Sequence, residues 1–311
     1  MRLQKRLEAL LISNSWIFMK KLKLLNITNT VIRLFFFFAF PAAWATGFSG
    51  VKYLCEQIHS GKPIEMNAFL AAFVALALFT IIFGRFFCGR ACAFGTYGEI
   101  LHEAAKLIAK KTHHMLPRVS EHAAGHLRYI KYVVLIVICI LCVLGYGSAV
   151  SGGSPWTAFS HIRTGSLSLS SAADIIGLII FALCTIGMVF IERFFCRFLC
   201  PFGAVFSLLP VLPLSSVSRC KSKCIRGCKA CKNICPAGLD LPYSDINKGE
   251  AFSEGEREYA LHMGECFQCG KCAHLCPPGN AGSRLLRAGR IGILIDIFKA
   301  VLLAALLYIF I

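Results

Sequence analysis

The chain has 311 residues, of which 57% are hydrophobic and only 16% charged. That excludes an ordinary soluble domain and points to a polytopic membrane protein carrying one soluble insert. The formal net charge is +17, yet the basic residues flank apolar stretches, so the excess reads as a topology signal rather than a nucleic-acid footprint. Seventeen cysteines would become disulfides in an oxidising compartment, so most are expected to face the reducing side or to bind metal.

Residues 1–30 are basic around the short apolar stretch Leu7–Met19 and read as an interfacial segment. Residues 31–215 read as a four-span membrane domain, residues 216–285 as a soluble insert and residues 286–311 as a C-terminal membrane helix. The expected spans are Val31–Tyr53, Ala68–Phe87, Tyr129–Gly147, Ala172–Phe195 and Ile291–Ile311. The connection Ser148–Ser171 is rich in Gly, Ser and Pro and is expected to be irregular. Lysine and arginine crowd the segments on the insert's side of the bilayer, which places that side in the cytosol. Within the last helix, Asp296 and Lys299 are three apart and suited to pairing. The fold class is therefore a polytopic α-helical membrane protein with about five spans, two repeated helical hairpins and a cytosolic cluster-binding domain.

The membrane domain contains an internal repeat. Arg85-Phe86-Phe87-Cys88-x3-Cys92-x-Phe94-Gly95 returns as Arg193-Phe194-Phe195-Cys196-x3-Cys200-x-Phe202-Gly203. A Cys-x3-Cys pair on a helix sets both sulfurs on one face, one turn apart. Two pairs related by a repeat axis present Cys88, Cys92, Cys196 and Cys200 at one point of the inner membrane boundary. That set suits an iron–sulfur cluster or another thiophilic metal, or a redox dithiol set activated by Arg85 and Arg193. Cys139, Cys142 and Cys184 have no matching pattern and read as core.

In the insert, Cys266-x2-Cys269-x2-Cys272-x3-Cys276-Pro277 follows the bacterial ferredoxin spacing for a 4Fe–4S cluster. Three thiolates on one tight loop cap three corners of a cubane, and the fourth serves a second cluster. The partner run is Cys224-x3-Cys228-x2-Cys231-x3-Cys235-Pro236, with Cys220 as a further thiol. Two 4Fe–4S clusters are thus expected, one on Cys266, Cys269, Cys272 and Cys235, the other on Cys224, Cys228, Cys231 and Cys276. The extra residue between Cys224 and Cys228 leaves Cys220 and Cys224 as alternatives. Zinc is the competing ligand, since cysteine pairs two apart also bind it.

The nine histidines all fall in loops or in the insert, so no intramembrane haem is expected. His113, His114, His122 and His126 form a loose group read as a solvated face. Trp156, His161 and Arg163 combine aromatic, titratable and cationic groups of the kind a quinone head group uses, against the simpler reading of an aromatic belt. There is no phosphate-binding glycine fingerprint, and no acid, base or nucleophile set stands out for bond-making catalysis.

Twin Cys-x3-Cys motifs followed by a two-cluster domain resemble the NapH-type membrane ferredoxins, quinol-dehydrogenase subunits of periplasmic nitrate reduction. These are related to YccM and to the membrane half of NosR. The resemblance covers about residues 30–290 and matches Cys88, Cys92, Cys196 and Cys200 to the family's membrane-boundary thiols. It implies an oxidoreductase component of a bacterial inner membrane, passing electrons between quinone and other redox subunits. Ala93 departs from the family pattern, which has proline there as the second copy does at Pro201. CcoG, a copper-reducing relative used in oxidase assembly, shares motifs of this kind. A metal reductase or assembly factor handling copper is therefore one alternative, and a redox-sensing membrane regulator is another.

Overall fold

The computed structural model describes residues 23–113, 121–165, 171–220, 224, 228, 230–239, 257–259, 263–276 and 278–310. Most of the basic N-terminal segment, with His114 and Pro277, lies outside the described residues, as do the side chains of Cys220 and His122. The architecture is mostly helical.

The first expected span is two helices, α1 (Lys23–Ala39) and α2 (Ala43–Ser60), bent by 64° at their junction. Pro41 sits in that junction, where it removes a backbone donor and disfavours helix at the residue before it. α3 (Ala68–Phe83) is apolar on all sides and opens on Asn67, whose side chain accepts from the Leu70 N–H at 2.8 Å. It ends at Gly84, in the left-handed region at φ 68°, short of the expected Phe87. After a π-turn at Phe87–Ala91, α4 (Ala93–Lys111) runs as an amphipathic helix.

α5 (Glu121–Leu127) leads into α6 (Ile130–Val143), and together they contain an apolar stretch, Ala123–Val143, long enough to cross a bilayer. The segment expected to be irregular instead holds α7 (Gly147–Gly152) and α8 (Pro155–Thr164). Its Ser, Pro and Gly act as helix punctuation: Ser154 accepts from the Thr157 N–H, Pro155 fills the first turn, and Gly165 ends the helix at φ 69°. α9 (Ala172–Phe190) starts with a capping box between Ser171 and Asp174. The short α10 (Phe194–Phe198) and α11 (Pro201–Leu208) follow.

The insert is small. β1 (Ser218–Cys220) pairs antiparallel with β2 (Arg257–Tyr259), and the short helices α12 (Ala230–Asn233) and α13 (Lys271–Leu275) carry cysteines. α14 (Arg290–Phe310) closes the chain. Among the described residues, three helices are long and apolar enough to span a membrane, or up to four if the bent α1–α2 pair is one span; α3, at 16 residues, is shorter. Their outward faces carry exposed Val133, Ile136, Ile179, Leu183 and Phe298, as lipid contact requires.

Close helix approach depends on small residues. A Cβ added at Gly50 would lie 2.5 Å from the Phe69 carbonyl oxygen and 2.6 Å from Phe73 Cβ, so α2 and α3 touch backbone to side chain there. Gly50→Ala should therefore splay this hairpin at a cost of about 1–3 kcal/mol, the usual penalty of overpacking. A thermal melt in detergent followed by circular dichroism should show a lowered Tm; an unchanged Tm would mean that the helices separate freely.

Candidate metal centre

The twin motifs are not continuous helix turns. In the first copy Cys88 sits in the π-turn and Cys92 is the extended residue that opens α4. In the second, Cys196 lies in α10 and Cys200 is the extended residue that opens α11. The expected pairing on one helix face is thus replaced by a kink between the two cysteines of each pair. Left-handed backbone makes the preceding breaks, at Gly84 in one copy and at Arg193 (φ 56°) in the other.

Despite the kinks, the four thiols come together. Cys88, Cys92, Cys196 and Cys200 line one small cavity with Arg85, Trp44, Trp156, Phe87, Phe94, Phe195 and Phe202. Its walls interlock: Trp44 and Trp156 lie 4.0 Å apart between ring centroids, and Phe94 meets Phe195 edge-on at 4.8 Å. In this apolar setting burial pushes the Cys92 and Cys200 thiols far up. Burial also raises Cys196, against the opposing pull of Arg193. Such thiols are not the exposed, low-pKa kind that makes a reactive dithiol, whereas a bound metal deprotonates a coordinating thiol outright. The Gly203 N–H donates to Cys200 Sγ at 3.2 Å, and Arg85 keeps Nε and Nη2 buried without a partner. A cationic donor beside four soft sulfurs fits an anionic thiolate centre.

In the insert, burial raises the Cys272 and Cys266 thiols, and the neighbouring Cys269 and Cys235 add to it. Burial likewise raises Cys224 and Cys231, with Cys276 close enough to add to both. There the sulfurs already receive hydrogen bonds: Asn280 and Ala281 N–H to Cys276 Sγ at 3.3 and 3.4 Å, and Arg219 Nη1 to Cys231 Sγ at 3.3 Å. Bonds to cluster sulfurs are a principal means of setting a cluster's potential. Among the described residues, no three His, Cys, Asp or Glu side chains converge as a single ion would need. Cys266 and Cys269 turn to a common side because Gln268 is left-handed at φ 53°, its amide donating to the Ser215 carbonyl at 2.8 Å.

The insert is seated on the repeat by buried charge, of which sequence reasoning found only the Asp296–Lys299 pair. Arg85 donates to Glu265 at 3.0 Å, and Glu265 also takes Lys131 and, at 3.1 Å, the Tyr132 hydroxyl. Arg193 binds Glu99 at 2.7 Å and the carbonyls of Cys88 and Gly89 at 2.8 and 2.7 Å, while Arg33 reaches Glu99 at 2.6 Å. Lys271 bridges Glu192 at 3.0 Å and Glu99 at 3.7 Å. Arg90 pairs with Asp296 at 2.8 Å and donates to the Cys269 carbonyl at 3.3 Å, and Lys299 completes that group at 3.8 Å from Asp296. The available signal was ionisable residues within or beside apolar stretches, which are costly unless paired.

Burial alone would raise the Glu99 carboxyl, but Arg193, Arg33 and Lys271 outweigh it and hold it down at about 2. Burial is likewise overcome at Glu265, which Arg85 and Lys131 hold below the usual carboxylate range.

The residues offered for a quinone all lie on α8. Trp156 is buried in the wall of the four-thiol cavity, Arg163 lies over the Phe37 ring at 5.5 Å, and His161 sits in the last turn of α8. His102, assigned to a loop, is a buried residue of α4 whose Nδ1 lies 3.0 Å from the Val189 carbonyl oxygen.

Residues 223–280 match a family described as a 4Fe-4S dicluster domain. Residues 68–112 and 173–212, the two copies of the repeat, match one described as a 4Fe-4S binding domain. An uncharacterized protein of Methanocaldococcus jannaschii, MJ0750, is 26% identical over 262 residues, covering 83% of this chain and 94% of its own length. The ferredoxin-type protein NapH of Escherichia coli K12 is 23% identical over 71% of this chain and 69% of its own. The putative electron transport protein YccM of the same organism is 24% identical over 74% of this chain and 59% of its own. No solved structure matches.

Glu99→Gln leaves Arg193 and Arg33 without their shared anion and should destabilise the fold at neutral pH by on the order of 3–5 kcal/mol. Because folding depresses this carboxyl, its contribution is present above pH 4.5 and is lost as the pH falls toward 2. Melts of native and Glu99→Gln protein should therefore converge across that window; a constant gap would contradict the assignment.

Proposed function

From its place among the NapH/YccM-type 4Fe–4S ferredoxin proteins, we propose that this chain is a membrane electron carrier linking the quinone pool to a partner redox protein. One cluster is assigned to Cys266, Cys269, Cys272 and Cys235, the second to Cys224, Cys228, Cys231 and Cys276, and a third iron–sulfur centre to Cys88, Cys92, Cys196 and Cys200. Clusters of this kind carry single electrons, and the chain's own work is to hold, insulate and tune them.

The observation that carries this reading is the convergence of both repeat copies on one dry cavity with a buried, part-unpartnered arginine. Glu265 already pairs with that arginine, and an anionic centre takes up the two buried nitrogens that Glu265 leaves without a partner. The surrounding aromatic wall excludes water, and the basic groups around the insert favour the more negative reduced state of a cluster, so they raise its potential. The insert faces the cytoplasm of a bacterial inner membrane in this reading, since the flanking lysines and arginines favour that side. Partner subunits supply the outward steps.

Protein purified without oxygen should hold clearly more than the roughly eight irons that two cubane clusters need. Changing Cys88, Cys92, Cys196 and Cys200 to serine should bring the count back to about eight, with acid-labile sulfide falling in step. Equal counts in both proteins would remove the boundary centre. Stoichiometric copper in place of the extra iron would favour a metal reductase, and zinc with little iron would end the electron-transfer reading.

A further inference from the structure

The loop Cys266–Cys269 packs on the membrane repeat, and Phe267 lies deepest in that contact with Gly89. Phe267 is buried at 2% exposure, and the two arginines that hold equivalent places in the repeat both lie over its ring. The Arg85 and Arg193 guanidinium carbons are 5.1 and 4.9 Å from its centroid. Both lie within the range of cation–π attraction. Phe267 therefore stands where the two copies of the repeat meet.

Its backbone makes the closer contact. A Cβ built on Gly89 would fall 2.0 Å from the Phe267 carbonyl oxygen, so only glycine lets the loop sit on the π-turn. Gly89 directly follows Cys88, and Phe267 directly follows Cys266. The Gly89 backbone is not in the left-handed region, so its conformation makes no demand for glycine. The close approach alone demands it. Arg193 seals the contact by donating to the Cys88 and Gly89 carbonyls.

We propose that the Phe267–Gly89 contact, clamped by Arg85 and Arg193, is the junction through which the insert and the four-thiol site exchange electrons. This rests on the reading that both places hold iron–sulfur centres. The exchange is of one electron, one centre oxidised as the other is reduced, with no bond made or broken and no proton moved. Phe267 and Gly89 act as positioning residues, because they set how closely two thiolate loops approach without touching a reacting atom.

The test uses Gly89→Ala, which adds a wedge at the junction while leaving every cysteine and arginine in place. Gly125→Ala is the control, since an added methyl there meets nothing within 4 Å. Iron, sulfide and low-temperature EPR line positions should be unchanged in both. After mixing with one electron equivalent of reductant and freeze-quenching, the electron's arrival at the boundary centre should be slower in Gly89→Ala than in both Gly125→Ala and the native protein. Magnetic broadening between the centres should weaken with it. In iron-free protein the same wedge should speed alkylation of Cys88.

Native transfer and native alkylation in Gly89→Ala would overturn the proposal. If that variant fails to retain iron, Phe267→Leu decides: it keeps the backbone contact but removes the ring under the two guanidiniums. Slower transfer with full iron content supports the junction, and the native rate overturns it. A native protein without iron at the boundary would instead sink the underlying reading, and the count of the unmodified protein reveals that separately.

Discussion

Buried guanidinium groups need acceptors, and most of this protein's organisation follows from how Arg85, Arg90 and Arg193 find them. Each is almost fully buried, and each is bound by groups from a different part of the chain. Arg85 uses Glu265 of the insert, Arg90 uses the Cys269 carbonyl and Asp296 of the last helix, and Arg193 joins the two copies of the repeat through Glu99. A charge left unpaired at such depth is costly, while replacing a whole pair by apolar groups is often neutral. The ion pairs therefore act chiefly on specificity: they admit one seating of the insert and penalise others.

The same charges shape the chemistry of the thiols. A cavity walled by tryptophan and phenylalanine keeps free thiols protonated, and the guanidinium of Arg85 beside it favours an anionic centre. The insert uses a complementary device, with backbone N–H groups and Arg219 directed at its sulfurs. Both arrangements stabilise negative charge on sulfur without water, which an electron carrier requires if its potential is to stay fixed as the electron comes and goes.

Much of the cysteine chemistry was legible because ligand spacing is a local property. The run from Cys266 to Cys276 and the repeated Arg-Phe-Phe-Cys-x3-Cys frame needed no knowledge of distant contacts. Segment boundaries were less legible. The break at Pro41 had a local signal that hydropathy averaging hid, and the Ser, Gly and Pro of the connection before Ser171 marked the ends of short helices rather than their absence. The quinone candidates share α8, where Trp156 lines the four-thiol cavity and Arg163 covers Phe37.

The sequence by itself determined the membrane class, most of the apolar segments and the cysteine patterns, since composition, periodicity and spacing act over a few residues. Tertiary structure alone decided which acids pair with the buried arginines, that kinked rather than helical Cys-x3-Cys pairs line one cavity, and that Phe267 rests on Gly89. Those partners are far apart along the chain, Glu265 from Arg85 and Phe267 from Gly89, and no local pattern encodes them. They are selected only when folding removes water and leaves each charge and each close approach a single place to go.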